Sequence, residues 1–380
     1  MVGQSRMRLF KSIPVVPPRE LYLGSVLADG GPIWPNFERR GPVRFNRHKP
    51  LDRRPHPYAG EHIKIDAPCV WCGFAQNHFG HLIAEHLTRV VESLSVRPDD
   101  LYLFVTYPKG DQSGVPDFFW SIIDWYGLPR SQVRFVTEPT VVSELRCMPQ
   151  SERLFGKGPS QDYLALLDLN TLRNGLAPKS SDILYVTRAG QLEFGRGGHA
   201  GEGYLVKLLQ SLGVSVLDPG KSGLMEQLAS YAGAKTLVFA EGSAMHGRQL
   251  LGRVRQNIVI LRRRLGKSVA KELLERRCDE LVYSDTIYRF AAPIGGGGQV
   301  KHWEGISFYD TEALFSAFRD IGLDLESKWS DAEFLSARDA DVLAWLDCMG
   351  RLGRLSNTTI AAISAVFEDV GLDPFQSAPP

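Results

Sequence analysis

Residues 182–261, DILYVTRAGQLEFGRGGHAGEGYLVKLLQSLGVSVLDPGKSGLMEQLASYAGAKTLVFAEGSAMHGRQLLGRVRQNIVIL, decide the fold. Four short apolar runs read as strands: DILYVT (182–187), VSVL (214–217), KTLVFA (235–240) and NIVIL (257–261). Between them, 202–213, 223–234 and 243–252 carry apolar residues at helical spacing. Gly213 stops the first helix, and Asp218-Pro219-Gly220 closes the second strand. Parallel neighbours need a crossover long enough to hold a helix, so this alternation predicts right-handed β-α-β units. The expectation is a Rossmann-like parallel sheet.

Outward from that core, 178–181 reads as an interdomain linker, since Pro178 ends a helical pattern over 161–176. Upstream, CVWCGF (69–74), LYLFVT (101–106) and runs near 133–136 and 140–147 read as strands, with helices over 78–96 and 116–126. Residues 1–60, rich in Pro and Arg, read as an irregular basic arm with short strands. Downstream of Tyr283 come a loop with four glycines, Gly295 to Gly298, and helical patterns near 310–321, 331–349 and 357–370. The expected division is 1–177, 178–290 and 291–380, with the last segment packing back on the body. A chain of 380 residues suits two domains.

Composition removes several function classes. Hydrophobic residues make up 43% of the chain, which excludes disorder, and 44 Lys+Arg against 43 Asp+Glu give no global attraction for nucleic acid. No apolar run approaches the roughly 18 residues of a membrane span, and the N-terminus lacks the apolar stretch of a secretory signal. The expected setting is the cytoplasm, compatible with peripheral membrane contact. Charge is uneven: residues 1–60 hold eleven basic and four acidic residues, 251–277 nine and two, and 301–380 six and fourteen. The basic stretches suit either an anionic ligand or the acidic tail. Cys69, Cys72, Cys147, Cys278 and Cys348 are odd in number and scattered. They make neither a disulfide framework nor a zinc site, and read as buried thiols.

In an open parallel sheet, ligands bind beyond the carboxyl ends of the strands, where helix N-termini present unpaired N–H groups. That rule selects Arg188 with the glycine-rich loop after it, Asp218-Pro219-Gly220, Glu241-Gly242-Ser243, and the run Arg262-Arg263-Arg264. Two arginine sites, a glycine-rich loop and a Gly-Ser helix start suit a diphosphate, and Glu241 suits a ribose or sugar hydroxyl. Taken singly, the same residues read as solvated arginines and an ordinary N-cap. Gly220-Lys221-Ser222 and Gly266-Lys267-Ser268 imitate a P-loop, yet five residues before each glycine stand Ser215 and Leu261. No G-x-G-x-x-G follows a strand, which argues against a dinucleotide oxidoreductase.

The first half has one dense polar cluster, NHFGHLIAEH (77–86). Asn77 is positioned to cap the following helix, and Phe79, Leu82, Ile83, Leu87, Val90, Val91 and Leu94 form its buried stripe. His78, His81, Glu85, Arg89 and Glu92 fall on another face. That face reads as a solvated surface with a His–Glu pair, or as a zinc site using His78, His81 and Glu85. The third reading is a His–Glu pair facing an interdomain cleft, with the imidazole taking a proton from a hydroxyl nucleophile.

Together these residues resemble glycosyltransferase family 61, from about Trp71 to Arg264. Asn77, His81 and Glu85, followed by Leu87-Thr88-Arg89, resemble its Asn-x-x-x-His-x-x-x-Glu cluster and Leu-x-Arg. Tyr185-Val186-Thr187-Arg188 looks like its strand end, Leu212-Gly213-Val214 to Pro219 like its L-G-F-x-V-x-x-P block, and Glu226-Gln227 like its Glu-Gln pair. Gly201-Glu202-Gly203 stands where the family opens a helix with Asn-Glu. The segment from Leu237 to Ala244 stands where it has I-V-G-x-H-G-A-G; Glu241 takes the place of the family's His, and His246 follows five residues later.

The resemblance implies a GT-B enzyme: two Rossmann-like domains with parallel sheets facing across a cleft, plus C-terminal helices. The N-terminal domain is then the acceptor side and residues 178–290 the nucleotide-sugar side. It implies an inverting transfer without metal or resident cofactor, the nucleotide-sugar being a co-substrate. The acceptor is a glycan or lipid-linked glycan hydroxyl, in surface polysaccharide or glycoconjugate synthesis. His81 is the expected base and Glu85 its partner. Arg188 is assigned to the diphosphate, with Arg262 behind it, and Glu202, Glu226, Glu241, Gly242, Ser243, Ala244 and His246 to nucleotide or sugar. A catalytically silent sugar-nucleotide or polysaccharide binder and a Rossmann enzyme of another class are the alternatives.

Overall fold

The computed structural model describes residues 6–17, 30–35, 45–46, 49–50, 60–106, 115–154, 156–373 and 375. The chain forms two compact units. One is Met1–Ala177 with Ser243–Arg255 and Val269–Asp279, and the other is Pro178–Gly242 with Gln256–Ser268 and Glu280–Pro380. Residues 243–255 and 269–279, expected in the second domain, therefore group with the first unit, while 291–380 is part of the second.

The first unit is built on a seven-stranded sheet. Its strands are β1 (Arg8–Val16), β2 (Gly31–Pro32), β5 (Ile63–Ile65), β6 (Cys69–Phe74), β7 (Leu101–Val105), β8 (Val133–Val136) and β9 (Thr140–Cys147). A short pair, β3 (Phe45–Asn46) and β4 (Lys49–Pro50), lies apart from it. The order is β2-β1-β9-β6-β7-β8, with β5 alongside β9. Strands β5 to β9 pair in parallel, but β1 runs antiparallel to both β9 and β2. The sheet is thus mixed, a correction to the expected all-parallel arrangement. Its cause lies in the arm read as irregular, where Ile13 and Val15 enter a core with Trp71, Leu103, Val142 and Leu145. Most of the rest of that arm falls outside the described residues. All five cysteines are buried free thiols, and Cys69 and Cys147 belong to this core.

The helix expected over 78–96 is broken into α1 (Phe79–His81), a π turn Leu82–His86, a 3-10 turn Leu87–Arg89 and α2 (Val90–Val96). Tertiary hydrogen bonds explain the irregularity. The Glu85 carbonyl accepts from Gln150 Nε2 at 2.9 Å, and His86 Nδ1 accepts from the Phe74 backbone N–H at 3.1 Å. His78 rather than Asn77 caps α1, its Nδ1 accepting from His81 N at 3.3 Å. Glu85, Arg89 and Glu92 are buried, so the solvated-face reading fails. Further on, α3 (Asp117–Tyr126) and α4 (Gln161–Arg173) follow the expected spacing.

Two buried arginines pin the late segments into this unit. Arg277 donates to both Glu152 carboxylate oxygens at 2.8 and 3.0 Å, and Arg248 donates to the carbonyls of Gly252 and Arg277 at 3.0 and 2.8 Å. Residues Ser243–Leu250 form a 3-10 helix instead of the expected amphipathic α-helix. Met245 to Leu250 are all buried, so this stretch has no solvent face to keep polar.

The second unit carries a five-stranded, wholly parallel sheet in the order β12-β10-β13-β14-β15. Its strands are β10 (Ser181–Val186), β12 (Ser215–Leu217), β13 (Ala234–Ala240), β14 (Asn257–Leu261) and β15 (Glu280–Ser284). The apolar face of α5 (Glu202–Ser211), Tyr204, Leu205, Leu208 and Leu209, packs with Val238, Val259, Leu314 and Phe318. Between β12 and β13 runs α6 (Leu224–Gly233). The earliest of these five strands, β10, lies inside the sheet with its successors on either side. The connections reverse direction there, which makes β10/β13 the topological switch point.

Strand β15 was not foreseen, because ELVYS mixes charge and hydroxyls into a short run. Nor was a three-stranded sheet of β11 (Gly198–Ala200), β17 (Ile306–Tyr309) and β16 (Ile287–Ala291). Tail helices Thr311–Arg319, Asp331–Arg351 and Asn357–Asp369 start behind Asp310, Ser330 and Ser356, whose side chains accept from the backbone three residues on. Trp345, Met349 and Phe367 pack with Leu192, Ile306 and Phe308, and Asp341 accepts from Gly201 N at 2.8 Å. Among the described residues no helix is long and apolar enough to cross a membrane.

Candidate functional site

At the carboxyl edge of the second unit's sheet, the loops after β10, β13 and β14 meet. The ladder continues past the strand ends, with Glu241 N donating to Leu261 O at 3.0 Å, so the three loops leave the sheet side by side. Arg188 is turned toward Gly242: a Cβ at that glycine would stand 2.1 Å from Arg188 Nη1. Only a glycine lets the guanidinium lie over this turn. The Arg188 Nε and Nη2 donate to the Gly197 carbonyl at 3.0 and 2.6 Å. Gly197 is wedged from the other side by Arg263, whose Nη1 would lie 2.0 Å from a Cβ there. Arg263 Nη1 also donates to the His302 carbonyl at 3.1 Å.

Two carboxylates hold this arginine group. Glu241 is fully buried; its Oε2 accepts from Arg263 N at 2.9 Å and its Oε1 from the Arg264 guanidinium. Both oxygens are thus engaged by arginine, and Glu241 orients the cations, a correction to its expected place on a sugar hydroxyl. Glu202, also buried, sits at the start of α5. Its Oε1 accepts from Tyr185 OH at 2.9 Å, Thr187 Oγ1 at 2.8 Å and Arg188 N at 2.7 Å, which fixes the end of β10. Burial raises the Glu202 pKa above the usual carboxylate range, against those three hydrogen bonds.

The cations press on one another. Burial, then Arg188 and Arg264, push the Arg263 guanidinium down to about 9, with Glu241 opposing. Burial likewise lowers Arg188, with Arg264 and Arg196 adding to the effect and Glu202 and Glu241 resisting it. His199, buried beneath them, is held well below the ordinary imidazole range by burial and by Arg263 and Arg188. Such a cluster has the chemistry of an anion site: several guanidiniums, backbone loops trimmed to glycine, and too little carboxylate to balance the charge.

Arg262, the arginine singled out from its run, is directed elsewhere. It donates to Asp285 Oδ2 at 2.5 Å and Ser268 Oγ at 2.8 Å and lies over the Tyr283 ring. Arg263 and Arg264 take the place expected for it. The strand-end rule selected the run, but nothing local said which of three consecutive arginines faces the neighbouring loop. Glu226 is exposed in the first turn of α6, away from these hydrogen bonds.

Ser243, Ala244 and His246 belong to the first unit, not to the arginine cluster's own fold unit. There, Gly80 in α1 makes room for the His246 ring. A Cβ at Gly80 would meet His246 Cδ2 at 2.8 Å and Ser243 Cβ at 3.3 Å. His246 Nδ1 is 2.6 Å from Gln249 Nε2. On the same helix start, His81 Nδ1 lies 2.8 Å from Glu85 Oε1. Glu85 is buried while His81 keeps 24% of its side chain exposed. A buried carboxylate beside Nδ1 calls for the proton on that nitrogen, which leaves Nε2 as the accepting atom. His86 is a different case, with Nδ1 accepting from Phe74 N and Nε2 3.1 Å from Gln76 Oε1, so both nitrogens serve the fold. Among the described residues no group of three or more His, Cys, Asp and Glu is arranged to hold a metal ion.

No family model matches the chain, and no curated protein matches it.

Proposed function

We propose that this chain is an inverting, metal-independent glycosyltransferase of the GT-B kind. It moves a sugar from a nucleotide-sugar donor to a hydroxyl of a glycan or lipid-linked glycan, in the cytoplasm. The observation that carries the reading is the gathering of Arg188, Arg263 and Arg264 around Gly197, Gly242 and Glu241 at the switch point of a parallel sheet. Departure of a nucleoside diphosphate leaves negative charge on its oxygens, and fixed guanidiniums stabilise that charge without reorganising. Arg188 and Arg264 take the diphosphate, Glu241 and Glu202 hold them in place, and the glycines let the phosphates approach the backbone.

The acceptor hydroxyl must lose its proton as it attacks the sugar C1 from the face opposite the leaving group. His81 Nε2 is the accepting atom, and Glu85 steadies the imidazolium that forms. His246 and Ser243, packed on Gly80 beside it, are then acceptor-side residues. A turnover assay with a panel of nucleotide-sugars in the presence of a chelator tests the reading. Sugar transfer or slow donor hydrolysis under chelation supports it, and activity that appears only with added metal rejects it.

A further inference from the structure

We propose that the loop tips beside the arginine cluster form a docking lip by which the second unit binds a lipid surface rich in anionic headgroups. Phe194, after β10, is 68% exposed; Leu265, after β14, is 55% exposed; Trp303, before β17, is 53% exposed. Val300 adds a fourth exposed apolar side chain. The same three loops carry Arg196 and Lys267, both exposed, and the half-buried Lys301. The tips are tied together through the backbone. Gly197 N donates to Trp303 O at 2.7 Å, and Arg263 reaches the His302 carbonyl.

Basic side chains gather at one of these tips. Partial burial, together with Arg264, Lys267 and Arg263, holds the His302 imidazole below its ordinary range, so these charges all act at one place. Glu193 is exposed on the same loop as Phe194, whereas Glu304 is buried and engaged by Arg354. Phe194, Leu265 and Trp303 stand on separate tips, each with a basic residue two positions away on the same loop. That pattern suits insertion into a fluid headgroup layer, while a protein partner calls for one contiguous packed patch. Trp303 has the amphipathic form that concentrates at lipid interfaces, its Nε1 donating to Glu304 Oε1 at 3.2 Å. Lysines near a leaflet of anionic lipid add attraction that fades within a Debye length. The inference stands apart from the transferase reading, since it requires no donor.

Co-sedimentation of the full chain with phosphatidylglycerol-rich vesicles tests it, with phosphatidylcholine vesicles as the neutral reference. Binding is expected to the anionic vesicles, to weaken with salt, and to be slight with the neutral ones. Lys267→Glu combined with Lys301→Glu lowers partitioning about tenfold or more. Leu265→Ser combined with Trp303→Ser lowers it by a comparable factor, and Lys328→Glu, at an exposed lysine of the Glu326–Lys328 turn that belongs to none of these loops, leaves it unchanged. These positions lie at or near the surface, so unchanged thermal midpoints confirm that each variant is folded. No sedimentation with anionic vesicles, equal sedimentation with both lipids, or indifference to both double variants overturns the proposal. So does a Trp303→Ser variant that loses nucleotide affinity while its vesicle binding stands, which assigns the ring to a nucleobase.

Discussion

Glu152 and Glu241 are both buried carboxylates gripped by arginine, and they serve different ends. Glu152 meets Arg277 through two parallel hydrogen bonds, and the remaining Arg277 N–H groups go to the carbonyls of Leu251, Leu273 and Gln249. Neither side chain is more than 1% exposed. The hydrogen bonds close on themselves there, and what the pair accomplishes is to hold 243–255 and 269–279 in the first unit. Glu241 meets Arg264, whose side chain keeps 25% of its surface in solvent, with Arg188 and Arg263 beside it. Three cations surround that carboxylate. The same pair chemistry is scaffolding where every N–H of the pair meets a buried acceptor, and a candidate binding site where the arginine stays open to solvent.

The largest expected effect breaks the closed pair. Arg277→Ala leaves Glu152 buried without its partner and should cost about 3–5 kcal/mol of stability, read by denaturant unfolding. A loss below about 1 kcal/mol would show that the pair is not the clamp described. His81→Ala should lower turnover by ~10²–10⁴-fold, and a wild-type rate would remove His81 as the base. At the open cluster, Arg188→Ala should weaken donor binding by about 1.5–3 kcal/mol, the worth of hydrogen bonds to a charged group. Arg262→Ala, tied to partly exposed Asp285, should change binding by less than about 1 kcal/mol. If the two variants lose affinity equally, the distinction between Arg188 in the cluster and Arg262 outside it falls.

A pH dependence of stability accompanies these effects. His199 has a folded pKa below its unfolded value near 6.5, so in mild acid the unfolded chain takes up a proton that the folded chain resists. Stability is then fully present above that unfolded pKa and drains as pH falls below it, by up to ~1.4 kcal/mol per pH unit. His199→Asn should flatten the slope of thermal stability between about pH 7 and 5; an unchanged slope would mean His199 protonates in place.

Much of the scaffold is written in short-range pattern. NIVIL and CVWCGF are read at their observed limits because a buried parallel strand is a continuous apolar run: all six residues of CVWCGF are buried, and so is IVIL behind the exposed Asn257. The helix over 78–96 misleads for the opposite reason. Its polar face is satisfied by Gln150, Phe74, Arg6 and Ser151, partners mostly far away in the chain, and they bend the helix while burying Glu85 and Glu92. At the arginine cluster, strand-end reasoning finds Arg188 and Gly242 next to each other, as the diphosphate reading requires. It selects the run Arg262-Arg263-Arg264 without telling which of the three joins the cluster, because side-chain direction after a strand depends on backbone turns that no periodicity encodes. His246 shows the same limit at larger scale. Its sequence neighbours belong to one sheet, yet Gly80, a residue more than 150 positions earlier, provides the space it occupies.

Calorimetric titration of the chain with UDP, GDP, CMP and dTDP tests the central claim most directly, because it addresses the arginine cluster without requiring an acceptor. The account predicts saturable binding of one of these nucleotides, weakened at least about tenfold in Arg188→Ala. Binding to none of them, together with binding of NAD or ATP, or an Arg188→Ala titration superimposable on wild type, would contradict it.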